Sequence, residues 1–231
     1  MHCIDCNGVA GMAWGGICGM ALERHELGAN QTERLHFLNQ WMRQWYDRRP
    51  GHHRLPTLTS KSVRSDKWWE LSGPAIKAAA VRAAAPLFAD FAAEFFTGDD
   101  GEDYYARLLT KHFVVFYDTM YNAEMIMTDV QINHLRSATW DIGACLMHLR
   151  DIARRANMFR WQLTPACHRL MHCPEYAEIL NLRFVQNYAE ESLVGTTTNI
   201  WARAMRGTYQ DHVQINTLLR RVLGVLLRLE L

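Results

Sequence analysis

Cys3 and Cys6 have the Cys-x-x-Cys spacing that lets two thiolates grip one zinc ion, and His168 and His172 stand four residues apart, which puts two imidazoles on one helical face. Two thiolates with two imidazoles form the donor set of a closed, tetrahedral Zn2+ site. Cys167 and Cys173 flank the histidines as substitute ligands. A structural account competes: Cys3 and Cys6 as small buried apolar residues, and the histidines as hydrogen-bonding members of a core. The separation of the two halves in sequence exceeds the compact spacing of zinc fingers and favours this structural account.

Other chemistries are less well supplied. Cys167 or Cys145 could meet one of the eleven histidines after folding, but no cysteine-nucleophile motif surrounds either thiol. The glycine-rich stretch from Gly8 to Leu22 lacks both the Walker lysine and the dinucleotide fingerprint, so it is not a phosphate cradle. The run Gly98 to Asp103 is acidic but lacks the twelve-residue order of a calcium loop, and it reads as the start of a helix whose dipole favours carboxylates. Trp41/Trp45 and Trp68/Trp69 have the shape to stack on bases, yet tryptophans at helical spacing beside leucine point to a core.

The chain has 231 residues, 49% of them apolar and 21% charged, which excludes disorder, and no run reaches the ~18 uncharged apolar residues of a bilayer span. A net charge of +1 creates no whole-chain field for nucleic acid or membrane. Arginine outnumbers lysine 21 to 4, and residues 150–231 hold eleven arginines against seven acids, 11 − 7 = +4, which predicts a basic face on the C-terminal third. Within it Arg203, Arg206, Arg220 and Arg221 are candidate phosphate contacts. The opening residues have neither the cationic nor the apolar region of a secretory signal, and the six cysteines are expected to be reduced thiols or metal ligands in an intracellular setting.

The elements that must position these residues are helices. Gly8 to Leu22 reads as a buried or broken helix ended by Gly28, and Asn30 with Glu33 starts a second that reaches about Arg48. Arg49 to Ser65 has no apolar period and reads as a mobile connector. Pro74 opens an alanine-rich helix through Phe96, with a kink expected at Pro86. Another helix carries Tyr105 to Met120, and Thr128 caps one running to about Met158 with Ile132, Leu135, Trp140, Ile142, Leu146, Leu149 and Ile152 as its buried stripe. Extended pieces are expected at Phe159–Leu163 and Arg183–Tyr188, with a helix starting at Thr164-Pro165 between them.

Two segments carry a family resemblance. Trp161-Gln162-Leu163-Thr164-Pro165-Ala166-Cys167-His168-Arg169-Leu170-Met171-His172, followed by Asn181-Leu182-Arg183-Phe184-Val185-Gln186-Asn187-Tyr188-Ala189-Glu190-Glu191-Ser192-Leu193-Val194-Gly195, resembles the C-terminal part of eukaryotic cut-and-paste transposases of the CACTA-like group. Those proteins carry Pro-Lys-x-His-x-x-x-His before a short strand and an acidic helix start; here Ala166 replaces the lysine. The opening Met1-His2-x-x-Asp5-x-x-Gly8-Val9 is similar to the Met-His segment that precedes the helical insertion of the same family.

The resemblance implies an RNase-H-like core in which two aspartates and a glutamate (the DDE set) bind two Mg2+ or Mn2+ ions for cleavage and strand transfer of DNA. Carried over, Glu191 takes the glutamate's place, with Glu190 as its neighbour, Asp5 is the aspartate nearest a matched segment, and His168 and His172 match the supporting histidine pair. The aspartate-bearing strands are expected upstream of Met1, so the chain is expected to be catalytically incomplete alone. The resulting expectation is a mainly α, multi-helix bundle with at most a few short strands from an incomplete RNase-H-like core. It divides into a Met-His and Gly-rich segment (1–27), a helical insertion (28–158) and a C-terminal segment (159–231), and the segments at its two ends are expected to meet. DNA is the implied partner, with a homo-oligomer or an upstream transposase segment as further partners, no membrane, and a nuclear location. The alternative is a helical interaction or scaffold module without a nucleic-acid role.

Overall fold

The computed structural model describes residues 8–64, 68–73 and 75–185, and its architecture is mainly helical, as expected. Helix α1, Val9–Glu23, is apolar on every face, and a helix of that kind has to lie inside the fold. Every residue from Val9 to Leu22 is buried. Its glycines are where other elements press close. A Cβ on Gly15 would run into the backbone of Glu70, and one on Gly16 would lie 2.6 Å from Cη2 of Trp161. One on Gly19 would lie 2.7 Å from Cδ2 of Trp69.

Around α1 pack α2 (Gln31–Asp47), α3 (Ala78–Ala83) and α4 (Ala85–Phe95). Asn30 accepts from the Glu33 amide and Glu33 accepts from the Ala29 amide, so the expected cap is present with the reciprocal bond shifted by one residue. Trp41 and Trp45 are core residues: Trp41 meets Phe91 edge-on, and Trp45 donates to Asp90 at 2.8 Å. Pro86 breaks the alanine-rich stretch into α3 and α4, since it takes the first turn of a new helix. The stretch begins at Ala78 rather than at Pro74.

The connector after α2 is fastened to it. Leu55 and Leu58 are buried, Asn39 exchanges two hydrogen bonds with the Leu58 backbone, and the Leu55 amide donates to the Tyr46 hydroxyl. It ends in β1, Val63–Arg64, which pairs antiparallel with β2, Glu70–Leu71, in the register Val63 to Leu71. This is the only ladder among the described residues, and β2 lies on α1. The ladder falls within the stretch expected to be a helical insertion.

Two long helices form the other half: α5, Gly101–Asn122, and α6, Asp129–Arg155, packed along their length with α4 against α5. Thr128 and Gln131 make a complete capping box at the start of α6. Its buried side chains are Ile132, Leu135, Ala138, Thr139, Ile142, Cys145, Leu146, Leu149 and Ala153. Trp140, expected in this stripe, is 63% exposed, because it lies one residue out of phase with the row 135, 139, 142, 146, 149, 153. Ile152 is likewise only half-buried, beside Ala153.

Short helices α7 (Pro165–Met171) and α8 (Cys173–Ala177) pack on α6, and α7 also touches α1. Residues 159–163 are irregular rather than an extended strand, and Trp161 takes a left-handed φ of 59°. Leu182–Val185 is a 3-10 turn, not the start of an extended piece. Asn181 explains that turn: it is fully buried, its side-chain amide donates to the carbonyls of Met120, Ala123 and Glu124, and its Oδ1 accepts from the Arg183 amide. It thereby satisfies carbonyls at the end of α5 that the helix leaves unpaired.

Candidate functional site

The histidine pair sits where α7 ends. His168 lies in the helix and His172 is its C-cap, still in the right-handed helical region, so the i, i+4 relationship survives and both rings face the same way. Their Nε2 atoms are 3.2 Å apart and the ring planes cross at 86°. His172 Nδ1 lies 2.8 Å from Glu175 Oε2. Neither ring is a core group: His168 is exposed, and the His172 side chain is 40% exposed. The account of these histidines as core hydrogen-bonding residues is therefore corrected.

The pair stands at the rim of a groove of about 480 Å³ between α6 and α7, floored by Gly143 and Ala144 and walled by Trp140, Met147 and Met171. Exposed Trp140 and half-exposed Met147 make this wall apolar and accessible. Cys167 also lines the groove, but burial raises its thiol pKa. Burial, with help from Asp141, pushes Cys145 up to about 11. Both groups are held as thiols, the opposite of what a cysteine nucleophile needs. Among the described residues no group of three or more His, Cys, Asp or Glu side chains is arranged to hold a metal ion.

A second concave site lies at the C-terminal end of α6. Arg150 and Arg154 from the last turns of the helix, with Trp68, Phe159 and buried Arg160, line a cleft of about 420 Å³. Trp68 and Phe159 meet edge-on with centroids 6.1 Å apart, and both are exposed. Arg150 grips Asp151 through two nitrogens, which, with the fields of Arg154 and Arg155, holds that carboxyl below its usual range. Arg150, Arg154 and Arg155 outnumber Asp151 in the last two turns of α6, which leaves this end of the helix positive.

Arg160 is fixed by an ion pair with Glu23 at the end of α1 and another with Glu102 at 2.7 Å. Glu102 uses its other oxygen to accept from the Trp161 indole at 2.7 Å. The acids at the start of α5 therefore do more than complement a helix dipole: Glu102 binds 160–161, and Asp103 pairs with Arg24.

No protein-family model, curated protein or solved structure matches the chain. Of the candidate residues read from sequence, His168 and His172 come together. Cys3, Cys6, Asp5, Glu190, Glu191, Arg203, Arg206, Arg220 and Arg221 lie outside the described residues. Glu175 is a feature of the site that the sequence reading does not include, its signal being the His172-x-x-Glu175 spacing, whereas Arg150, Arg154 and Arg155 belong to the basic C-terminal third expected from sequence. Among the described residues, no helix is long and apolar enough to cross a membrane.

Proposed function

We propose that this chain is a transposase-derived polypeptide that binds DNA and does not cut it unaided. The resemblance at residues 161–195 and at the opening residues supplies the family. The observation that supports DNA binding is the cleft at the end of α6, where Arg150 and Arg154 stand beside exposed Trp68 and Phe159. Guanidinium groups suit phosphate oxygens through paired N–H donors, and aromatic faces beside them suit sugars and bases. The cleft is also lined by Arg160, Gln162 and Leu163, and so adjoins the segment that carries the resemblance.

Helix α1, which follows the opening matched segment, packs on the first residue of the second, with Gly16 against Trp161. Asp5 and Glu191, which the resemblance would assign to Mg2+ or Mn2+, carry no part of the DNA-binding proposal. Fluorescence anisotropy with a short labelled duplex tests it: binding that weakens steeply between about 50 and 200 mM salt is expected from phosphate contacts. Absence of binding at the lower salt overturns it.

A scaffold role is the second reading, favoured by one specific observation: the exposed apolar wall of Trp140 and Met147 on α6. A chain that binds no DNA yet self-associates or captures a protein through that wall would favour this reading.

A further inference from the structure

The paired histidines bring two ring nitrogens within 3.2 Å of each other without any part played by the Cys-x-x-Cys motif. We propose that His168 and His172 bind one Zn2+ ion through their Nε2 atoms, that Glu175 positions His172, and that the remaining coordination positions stay open at the rim of the apolar groove.

The first support is the geometry of the two nitrogens. With Zn–N bonds of 2.0–2.1 Å, two Nε2 atoms 3.2 Å apart subtend about 100° at the metal, close to the tetrahedral angle. No backbone movement is required to reach it. The second support is the orientation of His172. Its Nδ1–H donates to Glu175 at 2.8 Å, which fixes the tautomer that leaves the Nε2 lone pair facing His168. Without metal, His168 Nε2–H donates to that lone pair. When an ion enters, this proton moves to His168 Nδ1 and both Nε2 lone pairs face the metal. A carboxylate behind a ligating imidazole is the usual partner that aligns the ring and strengthens its donation.

The third support is access. His168 and Glu175 are exposed and His172 is partly so, which gives the ion a path in and leaves room for water on the groove side. Two protein ligands and open positions distinguish this from a closed structural site, and the adjacent wall of Trp140, Met147 and Met171 would meet the apolar part of any molecule that supplied a further donor.

The test is equilibrium binding of Zn2+ to the full chain at neutral pH, comparing the unaltered protein with His168→Ala, His172→Ala, Glu175→Gln and a Cys3→Ser/Cys6→Ser double variant, with circular dichroism to confirm folding. One equivalent is expected to vanish in each histidine variant, to persist in the cysteine double variant, and to bind about 10–100-fold more weakly in Glu175→Gln. Loss of that equivalent in the cysteine double variant overturns the open site in favour of a four-ligand one. Binding indifferent to both histidine variants, or no binding at all, also overturns it. The Glu175→Gln arm separates a positioning carboxylate from a bystander, because a bystander leaves the affinity unchanged.

Discussion

The indole of Trp161 lies against Gly16, so close that a Cβ on Gly16 would stand 2.6 Å from Cη2 of the ring. The contact joins the buried helix α1 to the irregular 159–163 segment. Trp161 is fully buried, so the ring has nowhere to retreat. Gly16→Ala is therefore expected to destabilise the fold by about 1–3 kcal/mol, the usual cost of overfilling a packed interior. Urea denaturation measures it. The penalty should shrink when the same change is made in a Trp161→Leu background, because the clash is then relieved.

Glu102 holds that indole in place while also neutralising Arg160. The Arg160 side chain is 3% exposed, and Glu102 is its better-shielded partner, at 15% against 42% for Glu23. Glu102→Gln is expected to cost about 1.5–3 kcal/mol, because it removes a charge-assisted bond from a buried guanidinium. Glu23→Gln should cost under about 1 kcal/mol, since solvent already screens that pair. Chemical denaturation of the two variants side by side checks the order, and an equal loss would mean that burial does not govern this network.

Asn181 offers a separate test on the far side of the bundle. Its amide serves three carbonyls at and beyond the end of α5, and no water-exposed substitute is near a fully buried group. Asn181→Ala should cost about 1–3 kcal/mol, the desolvation penalty of polar groups left unpaired. Hydrogen exchange is expected to accelerate in the last turn of α5 and to stay unchanged in α1.

Thiol chemistry gives a pH-dependent prediction. Burial pushes Cys18 up to about 12 and Cys145 up to about 11, both from an ordinary 9.0. The folded state thus keeps protons that the unfolded chain gives up above about 9, so these groups make stability fall as pH rises from there toward 12. Iodoacetamide at about pH 8 should leave Cys18 and Cys145 unlabelled in the native protein and label them after unfolding. Mass-spectrometric mapping reads this directly.

Local signals in the sequence located most helices, because caps and apolar spacing are properties of adjacent residues. Thr128 with Gln131 marks the start of α6, Asn30 with Glu33 that of α2, and unbroken apolar character marks α1 as buried. Trp140 falls outside the expected stripe because it sits one position beyond Thr139, which the buried row includes. The partners of the α1 glycines were not legible, since Glu70, Trp69 and Trp161 reach them across the fold. The same holds for the Glu102–Arg160 pair, whose members are 58 positions apart. The facing of His168 and His172 was legible from their spacing, whereas the positive cleft required Trp68 and Phe159 to be brought together by the fold.

The most direct test of the DNA-binding account is the slope of log binding constant against log salt concentration for the full chain and for Arg150→Ala/Arg154→Ala. Each phosphate contact contributes about 0.9 to that slope on duplex DNA. Both arginines lie at the surface end of α6, and Arg150 pairs with Asp151 rather than with the core, so the double variant should fold normally. The account predicts a steep salt dependence for the unaltered chain and a slope shallower by about 1.8 in the double variant. A slope unchanged by the two substitutions, or no salt-dependent binding by the unaltered chain, would contradict it.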